Sequence, residues 1–340
     1  MATLFGRRLT DGRSTAEVLF KPLDAAGEDL HFVDVGARNG SYLLPAEYAA
    51  RACITGFEPN QEEYEKLIAG KTSAQAAGML EHPFRRRRYH PSALWSEPGR
   101  QKIIIPVGAG ATSLSGPADV RMTSNMWREM DRGVTYFERV QKPVTETEVG
   151  CETLDSVWAD EGVAIDVLKV DAEGSELEVL KGARRLLEEH RILFVLSEFL
   201  FTPYYANRLT FGHQQVMLYE LGYRTIAINT DHAPYCWKRT GVRSENDRWL
   251  TYAGDASFIV DPDRVSLSTD EFYRLGLACI AFGFNAVGLN FIRESGKIPG
   301  AEIDALVNEV NRRDAWSRLH DWWKALPDVA YRSLKAVGMR

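Results

Sequence analysis

Three acids, Asp171, Glu173 and Glu176, follow directly on the apolar run from Ile165 to Val170 and lead into a helical pattern ending at Lys181, Gly182 and Ala183. A strand that runs into acids and then a helix puts carboxylates at the mouth of a sheet. In an open α/β sheet the carboxyl ends of the strands are where ligands bind. Asp171 ends the strand, so its carboxylate is expected to face a transferred group, a substrate or a metal; the plainer alternative is a helix N-terminal acid bonded to nearby amides. Glu173 and Glu176 suit the helix start, with Glu173 still in reach of the cleft. Glu198 closes the next expected strand beside Asp171. An Asp171 and Glu198 pair could serve as general base or bind a divalent ion that lowers a hydroxyl pKa. Ser197 stands where such a metal site wants a second acid, so no metal is assigned. His213 and His232 are further candidate bases, since an unperturbed imidazole titrates near neutrality.

A second junction bears on the ligand. The strand at 31–35 meets a turn containing Gly36 and Gly40, then an expected helix over 41–51, then a strand at 54–58 that ends in Glu58, Pro59 and Asn60. Glycines permit a tight turn and close approach of backbone to ligand, and an acid ending the second strand can accept both hydroxyls of a ribose. The dinucleotide fingerprint is absent, because Arg38 takes its middle glycine place. Asp34 before the turn would repel a pyrophosphate and attract a cationic ligand. S-adenosylmethionine, with ribose, ammonium and sulfonium, fits better than NAD.

Four segments occur in the order of a known family: 33–40, 56–60, Thr153-Leu154-Asp155 and 168–183. On these the chain resembles the FkbM-type, class I S-adenosylmethionine-dependent methyltransferases, over roughly residues 28–262. The resemblance implies a Rossmann-like α/β sheet, mostly parallel with an antiparallel last strand, and a β-hairpin insertion over the active site. It also implies roles by position. Asp34 is expected near the methionine ammonium. Gly36, Ala37, Asn39 and Gly40 would line the methionine and ribose side, Glu58 would take the ribose hydroxyls, and Pro59, Asn60, Ser92 and Ala93 would meet the adenine. Asp171 touches both cofactor and chemistry, and Thr112, Ser113 and Glu173 are the expected acceptor contacts.

The elements that must position these groups alternate along the chain, which predicts a doubly wound parallel sheet. Strands are expected at 31–35, 54–58, 88–94, 165–170 and 191–198, with helices at 62–69 and 173–189. A helix at 212–221 and strands at 223–228 and 256–260 complete the domain. An insertion of about 101–150, longer than an ordinary connection, carries strand-like 102–107 and 144–149 and a helical stretch at 125–139. Residues 1–27 form an N-terminal segment able to lid the cofactor or pack on the sheet. Residues 263–340 form a helical appendage. Its uncharged run 275–292 has the length of a membrane span, but its asparagines and glycines favour a buried or dimer-forming helix. The tail 315–337, with three tryptophans among basic residues, is expected to pack as an amphipathic helix, with membrane contact the lesser alternative.

Composition excludes other classes. A net charge of −6 argues against a nucleic-acid partner. The basic run at 85–88 reads as a solvated strand start, or else as a clamp for an anionic glycan. Cys53, Cys151, Cys236 and Cys279 form no metal-ligand or disulfide spacing. The N-terminus lacks a signal-peptide core, so a cytoplasmic protein is expected. The family resemblance, with these exclusions, implies an O-methyltransferase acting on a small-molecule or glycan hydroxyl. N-methylation and a catalytically silent cofactor-binding scaffold are the alternatives.

Overall fold

The computed structural model describes residues 4–79, 82–116, 142–201, 205–207, 209–233 and 250–325. The chain divides into two units, 29–267 and a second made of 1–28 with 268–340. The expected helix at 125–139, Cys236, the side chain of His232 and the tail beyond 325 lie outside the described residues.

Among the described residues ten strands build the larger unit: β1 (Leu30–Val35), β2 (Ala52–Phe57), β3 (Arg86–His90), β4 (Ala93–Leu94), β5 (Gly99–Pro106), β6 (Pro143–Glu152), β7 (Ile165–Val170), β8 (Ile192–Leu200), β9 (Tyr223–Ala233) and β10 (Leu250–Val260). Seven form one sheet in the order β3-β2-β1-β7-β8-β10-β9. The pairings from β3 through β8 are parallel, and β10 runs antiparallel to both of its neighbours. Phe32, Val33, Val167, Leu168, Phe194 and Val195 are fully buried, as strands covered on both faces require. This is a Rossmann-like, doubly wound sheet with one antiparallel strand inserted near its edge. From β1 the chain winds outward through β2 and β3, and from β7 the opposite way through β8. The carboxyl ends of β1 and β7 therefore border the topological switch point, where a ligand crevice opens. A second sheet, β4-β6-β5, is built on the antiparallel β5–β6 hairpin, which supplies the expected insertion.

Several expected elements are shorter or broken. The helix over 41–51 shrinks to Ala46–Ala49. Pro45 disfavours helical backbone at Leu44, which leaves residues 41–44 as loop. The third strand divides around Pro91, which has no N–H to donate, into β3 and β4 of different sheets. The helix expected from 173 begins at Glu176, because Glu173 and Gly174 take positive φ of 50° and 90°. It breaks near Gly182, where a Cβ would lie 2.0 Å from the Trp95 carbonyl oxygen.

The smaller unit joins the N-terminal helix Thr15–Ala26 to helices Thr269–Ala281, Asn285–Ser295 and Gly300–Ala325. The run 275–292 is thus two helices, separated by a turn in which Gly283 has φ 86°. They cross at glycines: a Cβ on Gly276 would meet the Gly288 carbonyl at 2.8 Å. The Tyr273 hydroxyl donates to the Leu19 carbonyl at 2.8 Å, and Arg274 pairs with Glu28 at 2.8 Å. Residues 1–28 accordingly pack with the C-terminal helices. Among the described residues no helix is long and apolar enough to cross a membrane.

Candidate active site

The turn after β1 is held from two sides. Gly36 and Ala37 donate their N–H groups to the Phe57 carbonyl at 3.1 and 3.0 Å, and Asp171 donates its N–H to the Val35 carbonyl at 3.2 Å. Gly36 has φ 82°, and a Cβ there would stand 2.0 Å from the Asp171 carbonyl oxygen. Only glycine lets the two strand ends approach so closely. A cavity of about 350 Å³ opens beside this junction. Its walls include Asp34, Gly36, Asn39, Gly40, Glu58, Pro59, Asn60, Ala93, Thr112, Asp171 and Glu173.

Glu58, 5% exposed, accepts the Asn60 N–H at 2.8 Å, and its second carboxylate oxygen takes no hydrogen bond among the described residues. Burial pushes its pKa up to about 7, against the pull of the Asn60 amide and Arg38. Ser41 Oγ and the Tyr42 hydroxyl are buried atoms without a hydrogen-bond partner among the described residues, and both residues line the cavity. Buried hydroxyls left unpaired at a cavity wall call for a polar ligand. Arg38 pairs with Glu63 at 2.9 Å on the same rim. Asn60 caps helix Gln61–Ile68 by accepting from Glu62 and Glu63, and the Ser73 hydroxyl donates to Asn39 Oδ1 at 2.8 Å.

At the other end stand the acids after β7 and β8. One carboxylate oxygen from each of Asp171, Glu173 and Glu198 lies within 4.8 Å of the others, a separation that a shared cation would span. The Tyr205 hydroxyl donates to Glu173, and Ser113 Oγ donates to the Glu173 carbonyl at 2.6 Å. Burial drives Glu173 to about 8, with Asp171 and Glu176 adding to it against the Tyr205 hydrogen bond. Burial and the carboxylates of Asp171, Glu173 and Glu176 push Glu198 well above the ordinary range. Glu176 is structural: its Oε1 accepts the N–H groups of Ala172 and Gly174, both at 3.0 Å, and burial lifts it to about 7. Those bonds leave Asp171 out of the capping arrangement, and its side chain is 43% exposed.

Other expected residues face elsewhere. Ala37 is 1% exposed and packs behind the turn. The Ser92 hydroxyl donates to Glu152 rather than lining the cavity. His213 is exposed and closes the capping box of helix Phe211–Glu220, its Nδ1 accepting the Thr210 N–H at 3.2 Å. Arg85 and Arg86 both pair with Asp29, Arg88 pairs with Glu161 at 2.8 Å, and Arg87 donates to the His82 carbonyl, so the basic run is engaged within the chain.

Sequence reasoning missed Lys169, Ser41, Tyr42 and Tyr205. Lys169 left a signal, since it is a charged residue inside a largely apolar strand and lies two residues before Asp171, so the alternation of a strand sends both side chains to one face. Tyr205 left none, because it enters from a distant loop.

A family model described as "Methyltransferase FkbM domain" matches residues 34–225, more than half of the chain. The chain belongs to the FkbM methyltransferase family. The FkbM match spans the turn, Glu58, the acids after β7 and Glu198. Hexuronic acid methyltransferase AglP of Haloferax volcanii is 26% identical over 191 residues, which are 56% of this chain and 64% of that protein, short of two thirds of its length. Among solved structures, magnesium protoporphyrin IX methyltransferase of Synechocystis with bound SAM is similar at 11% identity and TM-score 0.32, over 72% of this chain and 77% of that one. TrmK of M. capricolum with S-adenosylhomocysteine gives 10% identity and TM-score 0.31, over 93% and 92%. Scores this low do not bear on substrate.

Proposed function

We propose that this FkbM protein is an S-adenosylmethionine-dependent O-methyltransferase that acts on a hydroxyl of a small molecule or glycan. One observation carries the reading: a single cavity has the glycine turn and buried Glu58 at one end and Asp171 and Glu173 at the other. The residues fit the cofactor. Glu58 would accept from the ribose hydroxyls, the unpaired Ser41 and Tyr42 hydroxyls would donate to the methionyl carboxylate, and Ala93 and Pro59 would flank the adenine. The cofactor, when bound, supplies an electrophilic methyl group.

The chain's own part is to orient the acceptor and take its proton. Asp171 is the proposed base, reached from the cavity and grouped with Glu173 and Glu198. Protonated Glu173 and Glu198 would donate hydrogen bonds that hold the acceptor's neighbouring oxygens. An end built this way suits a neutral hydroxyl compound, whose oxygens can accept from the protonated carboxyls. The same oxygens are able to hold a divalent ion; activity that is lost in EDTA and restored by magnesium would favour that arrangement over a metal-free base.

The direct test is calorimetric titration of the full chain with S-adenosylhomocysteine, with NAD as control. Micromolar binding of the nucleoside alone is expected, and no binding to a folded sample would overturn the reading. Glu58→Ala is expected to weaken that binding by about 1–3 kcal/mol, the scale of lost charge-assisted hydrogen bonds. Unchanged affinity in the folded variant would remove Glu58 from the ribose site.

A further inference from the structure

Lys169 has no place in the chemistry so far, yet its ammonium is the meeting point of the cavity's two ends. Nζ lies 3.1 Å from Asp34 Oδ1 and 3.2 Å from Asp171 Oδ2, and it donates to the Val35 and Gly36 carbonyls, each at 3.3 Å. The side chain is 12% exposed and lines the cavity. Four acceptors thus surround three N–H donors. Two belong to the end of β1, one to the glycine turn after it and one to the acid at the acceptor end. The β1–β7 register sets this up by placing Asp34 opposite Lys169.

We infer that Lys169 is a positioning residue of the proposed transfer, fixing the cofactor-side turn and Asp171 to one buried cation so that both ends of the cavity keep their mutual placement. The inference rests on the reading above. Turn amides at Gly36 and Ala37 are committed to the Phe57 carbonyl, so the turn is held at its carbonyls by Lys169 and at its N–H groups by β2. Although burial works against the ammonium, Asp34 and Asp171 hold its pKa above the ordinary lysine value, so it stays charged at every working pH. A neutral replacement would remove the ammonium that bridges Asp34, which is 2% exposed, and Asp171. Glu58 and Glu173 also feel the lysine's charge. Protons would have to replace the missing charge, so the defect should deepen as pH rises.

The experiment titrates wild type, Lys169→Met and Lys169→Arg with S-adenosylhomocysteine at pH 6, 7 and 8, alongside thermal unfolding at each pH. Lys169→Met is expected to bind at least tenfold more weakly than wild type at pH 8 and to recover most of that loss at pH 6, with Lys169→Arg in between. Affinity within threefold of wild type throughout would overturn the assignment. So would a loss that is the same at every pH and no smaller for Lys169→Arg, which would mark a packing role. If Lys169→Met does not fold, Lys169→Gln removes the same charge while keeping a polar end and carries the same titration. Wild type that fails to bind would instead overturn the methyltransferase reading, and the two failures are distinct.

Discussion

Asp171→Asn is expected to lower kcat by roughly 100- to 10,000-fold with any hydroxyl acceptor, while S-adenosylhomocysteine affinity stays within about threefold of wild type. The asymmetry follows from geometry. Asparagine keeps an oxygen that can accept from Lys169, which lies 3.2 Å from the Asp171 carboxylate, so the hub and the turn it holds should persist. What asparagine cannot do is take a proton, and a hydroxyl must lose its proton as it is methylated. Glu198→Gln should cost far less, about tenfold, because burial and its acidic neighbours already favour the protonated form. Single-turnover kinetics would separate the two variants. An undiminished kcat in Asp171→Asn would remove the residue from proton transfer and move N-methylation, which needs no base after the amine deprotonates, ahead of the O-methyl reading.

The fold was legible where a single periodicity governed a segment. Largely apolar stretches at 165–170 and 191–198, bounded by turn and helix signals, read as strands buried in a sheet, and the glycine turn between two earlier strands announced the crevice. Legibility failed where a neighbour in space decided. Helix 41–51 gave way because Pro45 and the cavity claim residues 41–44, and the run at 275–292 broke because Gly283 admits a left-handed turn that local apolarity does not reveal. In the site, Glu58 and Asp171 were readable because each ends a strand at the switch point. Tyr205 was not: its hydroxyl reaches Glu173 from 32 residues downstream, a contact no local pattern encodes. His213 shows the converse error, a chemically apt residue that the fold spends on a helix cap.

The buried glutamates set the second large expectation: stability should fall as pH rises from about 5.5 to 8.5. Glu58 and Glu176 titrate near 7 and Glu173 near 8, against an ordinary value of 4.5, and Glu198 is also raised. For a carboxylate raised in the folded state, the native form binds more protons than the unfolded one between the two pKa values. The slope of unfolding free energy with pH is then negative across that window, about 1.4 kcal/mol per pH unit for each group fully inside it. The stability these groups contribute is complete below pH 4.5 and lost as pH rises through their folded-state values, about 7 for Glu58 and Glu176 and about 8 for Glu173. His90 opposes the trend, because burial holds its imidazole below 6.5, but it is one group against four. On the acid side Asp29, held down to about 2 by Arg85, Cys53 and Arg86 against its burial, loses its contribution only as pH falls through that value. Thermal unfolding without ligand should therefore peak near pH 5, with Tm roughly 5 °C or more lower at pH 8.5 than at 5.5. Glu58→Gln should flatten the slope between pH 5 and 7, since a neutral amide has no proton to lose. A Tm that is level or rising over this range would show that the carboxylates around the cavity ionise freely, and the donor roles given to Glu173 and Glu198 would fall with that result.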